Sequence, residues 1–141
     1  KEGQQIVADN GLVPVVTEET PAYEAKNVSG KITVGGSTSV TPVMEKLIEG
    51  YKALNAGAEI ELQSTGSSAG VTNALGGTYN IGMASRALKD SEIEKGAVGT
   101  VLAMDGIAVI VNTANPAEDI EMEQIRQIFV GEVTTWDALN K

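Results

Sequence analysis

Hydroxyl side chains, glycines and one arginine are gathered in three short stretches of this chain. They are Ile32-Thr33-Val34-Gly35-Gly36-Ser37-Thr38-Ser39, Ile60-Glu61-Leu62-Gln63-Ser64-Thr65-Gly66-Ser67-Ser68 and Ile81-Gly82-Met83-Ala84-Ser85-Arg86. In each, an apolar run suited to a strand passes into small polar residues that open a helix-like segment. A strand entering a helix through such a loop aims backbone N–H groups and Ser/Thr hydroxyls at one point, and the helix N-terminus adds about half a positive charge. That is chemistry for holding an anion. Arg86, at the end of the third stretch, is a candidate charge partner for an oxyanion. Read alone, each loop is equally a set of helix caps. Together in one small domain, the three point to a shared ligand.

Other chemistries fit less well. Gly66-Ser67-Ser68-Ala69-Gly70 matches the G-x-S-x-G pattern of a hydrolase nucleophile elbow and would make Ser68 the nucleophile. A serine needs a base to take its proton, and the usual base, His, is absent from the chain. No catalytic residue is therefore assigned. Cys is absent as well, which removes disulfides and thiolate metal sites. The acidic run Glu118, Asp119, Glu121 and Glu123 suits a helix N-terminus and lacks the spacing of a metal site. No cofactor and no metal are expected.

The 141 residues are enough for one domain with a real core. Aromatic residues make up only 4%, so that core must be built from Val, Ile, Leu, Ala and Met. The net charge of −9 is uneven: −3 over residues 1–30, −2 over 31–112 and −4 over 113–141. The anion-binding region is nearly neutral and its flanks are acidic. This balance opposes binding to nucleic acid or to an anionic membrane surface, because both need a basic field. It does not oppose a small anion, on which oriented dipoles act locally. No apolar run approaches the roughly 18 residues of a membrane-spanning helix.

Alternating strands and helices must position the loops. Lys1–Asn10 reads as a helix ending at Asn10-Gly11, and Leu12–Val16 as extended chain. Residues 17–30 read as a linker around Pro21. Lys31–Val34 is the first strand of the layered part. Ser39 or Thr41 is the expected N-cap of the next helix, with Pro42 in its first turn and Val43, Leu47, Ile48 and Tyr51 on its apolar face. Ala58–Leu62 is a strand, Ser68–Leu75 a helix and Asn80–Ala84 a strand. Asp90-Ser91-Glu92 opens a further helix with Ile93 on its buried face. Ile107–Val111 is almost wholly β-prone and reads as a buried strand. Glu121–Phe129 reads as a helix with Ile125, Ile128 and Phe129 on its apolar face, and Trp136 as a packing anchor. The alternation implies an α/β layered sheet with flanking helices, its loops together at the carboxyl ends of the strands.

In order and spacing, the segments Val34–Pro42, Gln63–Val71 and Ile81–Arg86 resemble the phosphate-binding protein of the ABC-type high-affinity phosphate importer. Gly106–Asn112 resembles that family's strand leading into a second lobe. Ile128-Phe129-Val130-Gly131-Glu132-Val133-Thr134-Thr135-Trp136 resembles its IF-x-G-x-x-x-x-W signature. The likeness spans about residues 31–139. It implies a periodic strand–helix lobe of a periplasmic-binding-protein-like, Venus-flytrap fold, in which a ligand is clamped between lobes and not transformed. It places phosphate on Thr38 and Ser39 of the first loop and on Ser67 of the second, with Ser85 and Arg86 completing the set. Some members have Asp where this chain has Arg86, to accept the proton of hydrogen phosphate and help reject sulfate. Others carry Ser-Arg, as Ser85-Arg86 do here.

The resemblance divides the chain into residues 31–112 as a first ligand-binding lobe and 113–141 as the start of a second. Residues 1–16 resemble the family's C-terminal end, which makes the chain either a piece of a tandem receptor or a circular rearrangement. Because residue 1 falls within a helix, the tandem fragment is the reading carried forward. The implied partners are inorganic phosphate, the permease subunits of the transporter, and a second lobe or tandem copy. The implied place is outside the cytoplasmic membrane, with a lipid anchor on the full-length protein. The alternative is an interaction or scaffold module that keeps the fold without the ligand.

Overall fold

A computed structural model describes residues 1–16, 20–117 and 119–139. The chain divides into two compact units, Lys1–Gly106 and Ile107–Lys141. The division falls ahead of the boundary at Asn112 that the sequence suggests. Glu118 of the acidic run, and residues 17–19 of the linker, lie outside the described residues.

In the first unit, β2 (Gly30–Gly36), β3 (Ala58–Ser64) and β4 (Ile81–Met83) form a parallel sheet in the order β3-β2-β4. The register pairs Gly36 with both Ser64 and Met83, so all three strands finish level at their carboxyl ends. Parallel neighbours need crossovers, supplied by α2 (Thr41–Leu54) and α3 (Ser67–Leu75). Val34, Met83, Val43 and Val71 are buried where the sheet meets these helices. The core is aliphatic as expected, with one aromatic addition, Tyr79, also buried.

The amino-terminal segment is part of this unit. In α1 (Glu2–Asp9), Val7 is fully buried, and Gly3 comes close enough to α2 that a Cβ there would rest 3.6 Å from Leu47 Cδ2. Its partner strand β1 (Val13–Pro14) pairs antiparallel with β5 (Ala103–Met104). Residues 20–29 have no regular structure. They still lie against the unit: Glu2 accepts the Tyr23 N–H at 3.2 Å, and the Tyr23 and Tyr51 rings stand 5.7 Å apart.

Several local expectations are corrected. The N-cap of α2 is Val40, not Ser39 or Thr41, and it makes no side-chain cap bond. Thr41 is already helical, and its N–H and hydroxyl both donate back to the Ser37 carbonyl (3.1 and 3.0 Å). The helix α4 (Asp90–Ile93) is a single turn, too short to present a face, so Ile93 is exposed. Ile107–Val111 forms no strand, and Ile107 is 99% exposed. A β-prone run becomes a strand only beside a partner ladder, and no described strand pairs with it.

The second unit contains α5 (Met122–Phe129) and a 3-10 turn, Trp136–Leu139. Gln124 Oε1 accepts the Glu121 N–H and closes the start of α5, while its Nε2 donates to Leu139 O. Ile125 and Ile128 are partly covered, but Phe129, assigned to the same face, is exposed. Among the described residues of this unit the buried side chain is Leu139; Trp136, expected as the anchor, is exposed. No described helix is long and apolar enough to cross a membrane.

Candidate functional site

The level strand ends bring the three hydroxyl-bearing loops to one end of the sheet. Backbone bonds tie them there. The Gly36 carbonyl accepts the N–H groups of Thr65 (2.8 Å) and Gly66 (2.7 Å), joining the first loop to the second. The Ser37 N–H donates to Met83 O at 2.9 Å, joining the first to the third.

Close approach at glycine makes this crossing possible. A Cβ on Gly70 of α3 would stand 2.7 Å from both Gly36 Cα and Met83 O. One on Gly82 would stand 2.7 Å from Gly70 O. Gly36 itself holds φ +144, a conformation that other residues rarely adopt. Helix α3 is thus seated almost backbone to backbone on β2 and β4, with its amino-terminal turn at the strand ends. Below it, the Tyr79 ring covers Gly35, and its hydroxyl donates to Gln63 Oε1 at 2.9 Å beside Thr65 Oγ1. This braces the loop that delivers Ser67.

The side chains of the second and third loops meet. Ser67 Oγ accepts the Ser85 N–H at 3.1 Å and lies 3.2 Å from Ser85 Oγ. Arg86 Nη2 donates to Ser68 Oγ at 3.4 Å. Of the residues anticipated, Ser67, Ser85 and Arg86 therefore fall in one group. Thr38 and Ser39 sit in the exposed turn that leads into α2 from the same sheet end, and their hydroxyls have no partner among the described residues. Ser68 touches a guanidinium, which cannot accept a proton, so its contact does not serve a nucleophile.

The group also contains a residue that sequence reasoning passed over. Glu92 of α4 grips Arg86 with both carboxylate oxygens, Oε1 to Nη2 at 2.8 Å and Oε2 to Nη1 at 2.9 Å. The guanidinium and the Lys89 N–H hold the Glu92 carboxyl down at about 2, against an ordinary value of 4.5. The carboxylate in turn raises Arg86. Lys89 followed three residues later by Glu92 could have signalled the local bond from Lys89 N–H to Glu92 Oε2 (2.8 Å), but not the grip on Arg86. Nor does a G-S-S-A-G stretch reveal that its last glycine is a packing surface. As a whole the arrangement is a small cradle of hydroxyls, helix-start amides and one compensated cation, suited to hydrogen-bonding an oxyanion.

Known proteins resemble this chain in sequence and in fold. Phosphate-binding protein PstS 2 of Streptococcus agalactiae is 47% identical over 141 residues, covering 100% of this chain and 47% of the relative. The protein of the same name from Streptococcus pneumoniae is 45% identical over 139 residues. The chain thus spans about half the length of the curated relatives it matches. Among solved structures, a phosphate ABC transporter, phosphate-binding protein from Streptococcus pneumoniae superposes with a TM-score of 0.89 at 44% identity, over 99% of this chain and 54% of that one. A Clostridium perfringens protein solved with bound phosphate gives a TM-score of 0.69 at 43% identity, over 78% of this chain and 45% of that one. A family model described as a PBP superfamily domain matches residues 15–141: this chain belongs to the PBP superfamily.

Proposed function

We propose that this chain binds inorganic phosphate as the ligand-holding lobe of the extracytoplasmic substrate-binding component of an ABC phosphate importer. The observation that carries the reading is the meeting of three donor-bearing loops at one sheet end, with Ser67, Ser85 and Arg86 hydrogen-bonded around the start of α3. The names of the relatives point to the same anion, and one solved relative holds phosphate. On this reading Thr38, Ser39, Ser67, Ser85 and Arg86 contact the ligand. The anion is held and released, not turned over.

A single lobe supplies part of a ligand shell and leaves the rest to water. The expected Kd for this chain is about millimolar, worth roughly 4 kcal/mol. A second lobe would close the shell, permease subunits would receive the ligand, and a lipid anchor would hold the full-length receptor at the outer face of the membrane. Residues 1–16 belong to the lobe on this reading, rather than to a preceding tandem copy. The burial of Val7 and the unbroken match of the whole chain to the Streptococcus agalactiae relative support that assignment.

An NMR titration with phosphate, using sulfate as the control, tests the reading. Shifts confined to amides near Ser37–Ser39, Ser67–Ser68 and Ser85–Arg86 with phosphate are expected. The absence of any shift up to tens of millimolar would overturn it and leave the interaction-module alternative.

A further inference from the structure

An anion cradle gains from positive charge, yet Arg86, the cation beside Ser68, is paired off. Glu92 holds it through two bonds of 2.8 and 2.9 Å, on side chains that are 14% (Glu92) and 29% (Arg86) exposed. The other ion pairs of the first unit, such as Lys31–Glu61 and Lys46–Glu49, lie on far more exposed side chains. Arg86 Nη2 is shared between Glu92 Oε1 (2.8 Å) and Ser68 Oγ (3.4 Å), which keeps the carboxylate within about 6 Å of the Ser68 hydroxyl. A full negative charge at that range repels any anion that settles on the start of α3.

We propose that Glu92 is a positioning and charge-cancelling residue that sets the affinity of the cradle for anions. By cancelling the charge of Arg86, it leaves recognition to directed hydrogen bonds from the hydroxyls, the amides and the guanidinium edge. An oxyanion with acceptors in the right directions satisfies these donors, whereas an anion offering charge alone gains little. Glu92 does not touch the ligand; it acts through Arg86, so it also holds the guanidinium against Ser68. The inference rests on the anion-binding reading given above and adds what sets the affinity of that site.

The test is a titration of this chain with phosphate and with sulfate at low salt. Glu92→Gln keeps the shape and an acceptor for the Lys89 N–H but removes the charge. It is expected to bind both anions roughly tenfold more tightly, and to lose most of that gain in 0.5 M NaCl. Glu49→Gln removes an equal charge from an exposed side chain two turns along α2 from Thr41, roughly 12 Å away and acting through water, and leaves binding within about twofold. Arg86→Gln alone leaves Glu92 uncompensated and binds at least tenfold more weakly; adding Glu92→Gln to it recovers part of that loss, the missing guanidinium bonds keeping it below the starting level. This double variant decides the matter even where Glu92→Gln alone does not fold.

If the unaltered chain binds phosphate and Glu92→Gln binds no more tightly, the assignment of Glu92 is overturned while the phosphate reading stands. The assignment is equally overturned if the double variant is no better than Arg86→Gln. If the unaltered chain shows no binding but Glu92→Gln does, the charge-cancelling role is supported and phosphate as the ligand of the unaltered chain falls. If nothing binds in any variant, both fall together.

Discussion

The second and third loops differ from the first in how their hydroxyls are held. Ser67, Ser68, Ser85 and Arg86 are cross-linked to one another, and Arg86 to Glu92, by bonds within the chain. Thr38 and Ser39 stand in an exposed turn, and only the backbone on either side of them is fixed, at Gly36, Ser37 and Thr41. One half of the cradle is preorganised and contributes to folding; the other spends its donors on no internal partner. Binding should therefore draw its geometry from the cross-linked half, and substitutions in the two halves should separate stability from affinity.

The largest effect is expected at the glycine contact that sets the cross-linked half in place. A methyl group on Gly70 would meet Gly36 Cα and Met83 O at 2.7 Å, and these are backbone atoms that cannot swing aside. Gly70→Ala should lower stability by about 3 kcal/mol, read from urea unfolding midpoints, and abolish the phosphate-induced shifts. An unchanged midpoint would mean that α3 is not seated as tightly as its glycines indicate.

Ser67→Ala comes next. It removes the acceptor for the Ser85 N–H and the Ser67–Ser85 hydroxyl contact, so it should cost about 1–2 kcal/mol of stability and weaken phosphate binding as well. Tyr79→Phe is gentler. It deletes the bond to Gln63 while the ring stays over Gly35, for an expected loss of about 1 kcal/mol. Its effect on affinity would come only through the position of Ser67.

These particulars show what the sequence could and could not disclose. Strand–loop–helix alternation and hydroxyl-rich loop composition are local, and they suffice to place three loops at one sheet end and to mark Arg86 as a candidate charge partner, whereas Ser67 and Ser85 are singled out by the family resemblance. The packing role of Gly70 was hidden because a glycine inside the helix expected over Ser68–Leu75 carries no sign of what it faces until β2 and β4 lie beneath it. Glu92 was legible as a helix-start acid but not as the partner of Arg86, since the turn of chain between them decides whether their side chains meet. Tyr79 went unnoticed as the lone aromatic of the first unit's core because nothing in its neighbours marks it as buried. Ile107–Val111 failed in the opposite sense: its composition is that of a strand, but pairing is a property of two segments, and no described segment supplies the second.

Acid sharpens the contrast from the electrostatic side. The Glu92 carboxyl is held at about 2 in the folded chain against its ordinary 4.5. Above pH 4.5 it is ionised whether the chain is folded or unfolded, and the pairing with Arg86 contributes in full. As pH falls from 4.5 toward 2, the unfolded chain takes up the proton first and that contribution is lost. Glu92→Gln should therefore flatten part of the stability loss over this window in acid titrations followed by circular dichroism. An unaltered acid profile would show that other carboxylates set it.

The smallest expected change in stability belongs to the first loop. Thr38→Ala and Ser39→Ala remove hydroxyls that have no partner among the described residues and lie on an exposed turn, so unfolding midpoints should stay within about 0.5 kcal/mol of the starting chain. Ser39→Ala is the sharper of the two. If its hydroxyl is a ligand donor, the loss of one hydrogen bond to a charged group should weaken phosphate binding by roughly tenfold, equivalent to about 1.4 kcal/mol, with stability unmoved. Should stability fall instead, Ser39 would be serving the helix start, and the two halves of the cradle would be alike. Should neither quantity change, the first loop would contribute only its backbone amides, and the site would rest on the cross-linked half alone.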